Sequence, residues 1–279
     1  MNLELLWWAG AETGNTSYTT IAKSHADHMI RDLFQPFNPG CAWHLITYDQ
    51  NTGAVLNRSS TPQGLGLDTV WSRGQAWSVN GFTIAYRYTK DPSYLKQAMS
   101  AADCFIRLLT DCCANDVYHY APFWDFNVTF PDISVDTSAM MIAAEGILEL
   151  SWYTTGADSA RYYAFAKQLL EAAENFWLFD TKDNDAVLKN GTVTYPLAGI
   201  SITYGDYFYL VTKMKFDSTA PPVAASDAPL VDGGAGFLYA ISLNGTTNVP
   251  NLLALDLSTV RSIARFPPPF SHSFQVCTI

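Results

Sequence analysis

Apolar residues recur at helical spacing through most of the first 216 positions. Leu3, Leu6, Trp7 and Ala11 form such a stripe, and it ends at Gly14, a residue suited to a helix C-cap. A second helix opens after Asn15 and carries Tyr18, Ile21, Ala22, Ala26, Met29 and Leu33 on its inner face. The same period predicts helices over 73–88, 92–109, 138–153, 159–179 and 204–214, with Pro92 at the first helical position behind Asp91 as cap. Three corners between helices are alike: Thr13-Gly14-Asn15-Thr16-Ser17-Tyr18, Thr89-Lys90-Asp91-Pro92-Ser93-Tyr94 and Thr155-Gly156-Ala157-Asp158-Ser159-Ala160. A repeated helical hairpin means an α/α toroid or an α-solenoid. Segments 34–70, 111–137 and 180–203 are long and carry Trp, His, Gln and Pro, as functional loops gathered on one rim do, so the toroid is the expectation. Within the first of them, 42–48 and 54–57 predict a small hairpin turned through Asp49-Gln50-Asn51-Thr52-Gly53.

The pattern changes after Phe216. Ser218-Thr219-Ala220-Pro221-Pro222-Val223-Ala224-Ala225 has the composition of a linker. Short strands are expected over 236–242 and 251–260, and Phe266-Pro267-Pro268-Pro269-Phe270 excludes regular structure. The expected organisation is a helical domain over 1–216 and a Pro/Gly-rich linker with a tail over 217–279. That tail is either the start of a β-rich module or residues from a misread gene end.

Composition narrows the function. The chain is 48% hydrophobic, 14% aromatic and 15% charged, which makes it globular. A net charge of −10 without a run of Lys or Arg argues against a nucleic-acid partner, and an anionic ligand must then be held by local cations. No apolar stretch approaches the roughly 20 residues of a membrane span. Five sequons, at Asn15, Asn57, Asn127, Asn190 and Asn244, suit a secreted parent protein, although Met1-Asn2-Leu3-Glu4 lacks the basic start of a signal peptide. The five cysteines match no zinc module, and their odd count favours buried or loop thiols over a disulfide framework.

The chemistry concentrates in Trp71-Ser72-Arg73-Gly74-Gln75-Ala76-Trp77. Indole rings that stack on a sugar face, beside a guanidinium that can grip a carboxylate, make a site for an acidic sugar. The segment resembles the signature of the unsaturated glucuronyl hydrolases, glycoside hydrolase family 88. Met1-Asn2-Leu3-Glu4-Leu5-Leu6-Trp7-Trp8-Ala9, Ser24-His25-Ala26-Asp27, Trp43-His44, Tyr48-Asp49, Gln63-Gly64, Trp124-Asp125-Phe126, Asp136-Thr137-Ser138-Ala139 and Tyr204-Gly205-Asp206-Tyr207-Phe208 follow in the family's order. The resemblance covers residues 1 to about 216 and implies an all-α (α/α)6 barrel of six helical hairpins. It also implies an enzyme that needs no cofactor and no metal, acting on an unsaturated uronic-acid oligosaccharide. In that chemistry the C4=C5 vinyl ether is protonated at C4, water adds at C5, and the hemiketal opens to expel the remaining chain; a single carboxyl with a raised pKa serves as acid and then base. The family's acid/base Asp precedes the Asn-Leu-Glu-Leu segment, and a second essential Asp lies on an earlier helix. The expectation is therefore a barrel incomplete at its N-terminus, with impaired activity and no catalytic Asp of its own. The alternatives are an inactive α/α carbohydrate-binding protein or fragment, and an α-solenoid scaffold, against which the tryptophan-arginine motif speaks.

Six residues are candidates for substrate binding: His44, Gln63, Trp71, Arg73, Gln75 and Trp77. Arg73 would pair with the substrate carboxylate, Gln63 and Gln75 would offer amides to hydroxyls, and Trp71 would stack. Trp77 is equally a core residue, and His44 matches a substrate-binding His of the family. His25 and His28 lie one turn apart without a third metal ligand, so they read as solvated helix residues. Asp136 reads as a helix N-cap, Asp125 as a structural acceptor and Asp206 as a first-turn residue favoured by the helix dipole.

Overall fold

The structure, a computed structural model, describes residues 2–58, 61–180 and 185–218, and the backbone of 237–243 and 250–256. Seven α-helices run in order among them: α1 (Leu3–Thr13), α2 (Thr16–Asp32), α3 (Ser72–Thr89), α4 (Pro92–Cys113), α5 (Thr137–Tyr153), α6 (Gly156–Ala172) and α7 (Thr203–Asp217). The caps lie where the sequence places them. Gly14 closes α1 in the left-handed region, at φ 67°. Asn15, Asp91 and Asp136 accept the N–H groups of Ser17, Ser93 and Ser138 at 3.0, 3.0 and 3.1 Å, satisfying donors that a helix start leaves orphaned. A π-turn, Ala173–Trp177, ends the sixth helix.

The helices alternate between two layers. α5 packs between α3 and α7, α1 packs against α3, and each of α2, α4 and α6 folds back on the helix before it. This is the inner and outer alternation of an (α/α)6 barrel, and α5 is its most enclosed member, with every residue from Thr137 to Ser151 buried. Gly146 permits the close approach of α3, since a Cβ there would lie 2.8 Å from the Cα of Asn80. Between the inner helices lies a charged cluster. Arg87 pairs with Glu4 and, at 2.9 Å, with Glu149; Lys215 reaches Glu149 at 2.7 Å and also Glu145, which Asn80 meets from α3. Buried charges persist only when paired in this way.

Three expectations are corrected. The predicted hairpin is shorter, pairing β1 (Thr47–Tyr48) with β2 (Val55–Asn57), while Ala42 makes only an isolated bridge to Phe34. The segment 180–203, read as a loop, contains a second antiparallel hairpin of β3 (Gly191–Thr194) and β4 (Leu197–Ile200), whose irregular register breaks the period-2 signal. Cys41 is bonded to Cys104 and Cys112 to Cys113, so four cysteines are not thiols. The first pair is separated by 63 residues and meets only through folding, which no spacing rule detects. Backbone contacts divide the chain into units of Met1–Ser226 and Asp227–Ile279. In the second, β5 (Phe237–Leu243) and β6 (Pro250–Asp256) lie close to the two short strands expected there and pair antiparallel. The linker residues 219–225 and the proline run 266–270 lie outside the described residues.

The charged cluster predicts acid sensitivity. Burial raises the Glu149 carboxyl, but Lys215 and Arg87 outweigh it and hold its pKa at about 2. A carboxyl depressed in the fold contributes stability that is complete above its unfolded pKa of about 4.5 and is lost as pH falls toward 2. Glu149→Gln is expected to cost about 3–5 kcal/mol at neutral pH, since it leaves two cations short of a partner. It is also expected to flatten the stability loss below pH 4.5. Urea midpoints across pH 2–7 check both, and parallel slopes for the two proteins would refute the assignment.

Candidate functional site

Trp71 is the residue on which the site turns. It sits in extended backbone immediately before α3 and bridges to Asp125, while the Ser72 N–H and hydroxyl both donate to the Trp124 carbonyl, at 3.2 and 3.1 Å. Its indole folds back over the first turn of the helix. Gly74 is required for that, because a Cβ there would come within 2.6 Å of the ring. The glycine of the motif thus serves the tryptophan.

His44 lies against the indole, with ring centroids 4.3 Å apart and planes inclined by 32°. Its Nδ1 is 3.0 Å from the Thr61 hydroxyl, and Gln63 also bonds to it. Burial lowers the His44 pKa; Gln63 opposes that and Arg73 adds to it, so His44 is neutral at pH 7. The loop that carries Gln63 is pinned by Asp125, which is fully buried and accepts from the Leu65 N–H at 2.9 Å, the Thr69 hydroxyl at 2.7 Å and the Asn127 N–H at 3.0 Å. Burial raises the Asp125 carboxyl despite these donors. Asp206, in the first turn of α7, similarly accepts from the Leu188 N–H at 2.7 Å, and burial raises it too.

Arg73 is 2% exposed and lies 4.8 Å from the Trp71 ring and 5.5 Å from that of Tyr204. Its Nη1 donates to Asp136 and, at 2.5 Å, to the Thr192 carbonyl; its Nη2 donates to the Val193 carbonyl at 2.7 Å. Asp136 caps α5 as the sequence predicts and pairs with Arg73 as well. Of the five N–H donors of the guanidinium, Nε–H and one Nη2–H have no partner among the described residues.

The expectation that Gln75 offers its amide to a ligand is corrected. It is 1% exposed and faces α4: Oε1 accepts the Ala42 N–H at 2.9 Å, and Nε2 donates to the carbonyls of Gly40 and Ala101, each at 2.9 Å. Two positions along a helix turn the side chain by about 200°, away from Arg73. Gln75 fixes the segment that leads to His44, and the Cys41–Cys104 bond lies in the same place. Trp77 points toward α7, 5.2 Å from the Phe208 ring and 6.4 Å from Tyr204. Four candidates, His44, Gln63, Trp71 and Arg73, are therefore brought together, Trp77 adjoins them through Tyr204, and Gln75 does not join them. Sequence reasoning missed Tyr204 and the carbonyls of β3. Tyr204 sat in the quoted Tyr-Gly-Asp segment, whose Gly205 lets α7 lie against Ser138, where a Cβ would come within 3.1 Å. No three His, Cys, Asp or Glu among the described residues form a metal-holding group. Two surface hollows, of about 340 and 240 Å³, share no residue with this cluster.

No family model matches the chain. It is 34% identical over 216 residues to an unsaturated glucuronyl hydrolase of Formosa agariphila, a match covering 75% of this chain and 51% of the relative. Its fold resembles that of an unsaturated glucuronyl hydrolase specific for heparin, with a TM-score of 0.68 and 28% identity over 77% of this chain and 57% of that one. It also resembles the unsaturated glucuronyl hydrolase from Bacillus sp. GL1, responsible for the degradation of glycosaminoglycan, with a TM-score of 0.71 and 26% identity over 78% and 57% of the two chains. The chain spans about half the length of the curated relatives it matches.

The neutral state of His44 has a measurable consequence. A His whose pKa is lowered by folding takes up its proton first in the unfolded chain, so stability falls once pH drops below the unfolded value of 6.5. The loss stops growing below the folded pKa. His44→Gln is expected to remove this part of the slope between pH 7 and 5, leaving that of His25, which burial also lowers. Urea titrations at half-unit intervals test this; identical slopes would show that folding does not lower the His44 pKa.

Proposed function

The chain belongs to the unsaturated glucuronyl hydrolases, glycoside hydrolase family 88, and on that premise we propose that it binds the 4,5-unsaturated uronic acid at the non-reducing end of lyase-generated oligosaccharides. The observation that carries this reading is the convergence of His44, Gln63 and Arg73 around the Trp71 indole. The indole supplies an apolar wall for a sugar ring. Nε–H and the second Nη2–H of Arg73 are the donors left for the C5 carboxylate. His44 and Gln63 supply neutral donors and acceptors for hydroxyls.

Hydrolysis by this route is hydration of a vinyl ether. A general acid protonates C4, charge develops at C5 and the ring oxygen, water adds at C5, and the hemiketal opens and releases the leaving sugar. Arg73 holds the carboxylate in plane with the double bond, and the indole keeps bulk water from one ring face. A second reading, sugar binding without turnover, rests on Asp136 and Asp125. Both carboxyls near the cluster are committed, one to Arg73 and a helix cap, the other to three donors of the 61–70 loop and its neighbour.

The test is a titration of the whole chain with an unsaturated uronyl disaccharide, followed by tryptophan fluorescence. Turnover is followed in parallel as loss of absorbance of the conjugated acid. Saturable binding is expected, weakened roughly 10-fold by Gln63→Ala or His44→Ala, the equivalent of one lost hydrogen bond of about 1.4 kcal/mol. A saturated glucuronide should bind less well. Absence of saturable binding would overturn the proposal, and binding without turnover would select the second reading.

A further inference from the structure

We propose that Asn15 and Asn127 carry N-linked glycans and that the chain matures in an oxidising secretory compartment. Three of the five sequons lie wholly within the described residues: Asn15-Thr16-Ser17, Asn127-Val128-Thr129 and Asn190-Gly191-Thr192. The fold treats them differently. Asn15 and Asn127 are exposed, and so are Ser17 and Thr129, the hydroxyl residues of their tripeptides. Each asparagine has a structural duty, and in both it falls on the carbonyl oxygen: Oδ1 of Asn15 caps α2 through the Ser17 N–H at 3.0 Å, and Oδ1 of Asn127 accepts the Val70 N–H at 3.0 Å. The Nδ2 of each has no partner among the described residues.

That division suits the chemistry. In glycosyl transfer from a lipid diphosphate-linked oligosaccharide, the amide Nδ2 bonds to the sugar C1, the C1–O bond to the diphosphate breaks, and one Nδ2 proton leaves. The product amide keeps its carbonyl lone pairs, so the helix cap and the hold on Val70 survive modification. Asn190 contrasts with both. It is half-buried with φ 64°, and the hydroxyl of Thr192, 1% exposed, donates to the Val135 carbonyl at 2.8 Å beneath the Arg73 site. The second line of support is independent. Cys41 and Cys104 are both buried, and their bond closes a 63-residue separation, a linkage that persists in secreted proteins and is reduced in the cytosol.

The experiment uses the protein recovered from its source by antibody. It is digested without reduction and treated with peptide N-glycosidase in ¹⁸O water before mass spectrometry. Expected are ¹⁸O-labelled aspartates at 15 and 127, unlabelled Asn190, and the Cys41 and Cys104 peptides recovered as one linked pair. Unlabelled asparagine at either 15 or 127 overturns that position, label at 190 overturns the burial criterion, and free thiols at 41 and 104 overturn the compartment. Asn127→Asp, which keeps the oxygen acceptor, should lose one glycan step in gel mobility with little change in melting. Sugar binding at the Arg73 cluster does not enter any of these outcomes.

Discussion

The site is organised by one ion pair. Asp136 caps α5, accepts from Ser138 and takes Nη1 of Arg73, while Arg73 grips two successive carbonyls of β3. Three elements that are distant in sequence are thereby fixed at one point: the start of α3, the start of α5 and the β3–β4 hairpin. Both side chains are buried, 2% and 0% exposed, so their charges are largely shielded from water. Desolvation at such a place costs several kcal/mol per ion and is offset only when the remaining donors and acceptors are satisfied. The carbonyls of Thr192 and Val193 and the Ser138 hydroxyl supply most of that here, while Nε–H and one Nη2–H of Arg73 have no partner among the described residues. The guanidinium thus ties β3 to the starts of α3 and α5, beside the bonds of Thr192 to Val135 and Tyr195 to Asp132.

The second buried charge cluster solves a different problem. Arg87, Glu145, Glu149 and Lys215 come from α3, α5 and α7, three inner helices that pack side by side with α5 in the middle. An inner layer of nearly continuous small and apolar residues, such as 139–150 on α5, specifies contact but little register. Hydrogen-bonded charges fix which turn of one helix faces which turn of the next, because a slip of one residue would leave an ion unpaired. Gly146 against Asn80 fixes the same register by shape. The two devices place the starts of α3, α5 and α7 level with one another, and that is where Trp71, Asp136 and Tyr204 meet.

The helices were legible because their signals are local. Gly14, Asn15, Asp91 and Asp136 cap their helices through neighbours two to four residues away, so spacing alone locates them. The Trp71 and Arg73 pair was legible for the same reason. What escaped was everything set by long-range partners. The role of Gln75 depends on carbonyls at 40 and 101, that of Arg73 on Asp136 and on β3, and the Cys41 bond on α4. An amide in a binding motif and an amide that ties a loop to a helix have the same sequence signature. Only the direction of the side chain separates them, and that direction follows from which face of α3 the outer layer covers.

The pairing of Arg73 with Asp136 also decides what kind of selectivity this cluster can have. The chain carries a net charge of −10, so its overall field repels an anion. At the cluster, the one cation beside the indole is already matched by a buried carboxylate, and His44 is held neutral by burial. At the proposed site a uronate would therefore meet no local excess of positive charge. It would meet the N–H donors left on Arg73, held by the guanidinium's other bonds, an indole wall, and an imidazole with its partners. Recognition of that kind depends on shape and hydrogen-bond geometry, with the entropy of orienting the donors already spent in folding. It also depends weakly on ionic strength, because a neutralised, buried pair is poorly screened and coordinated donors do not act through a long-range field. A site that discriminated by charge alone would accept any small anion, whereas the proposed one would ask for a carboxylate on a ring that can lie against Trp71.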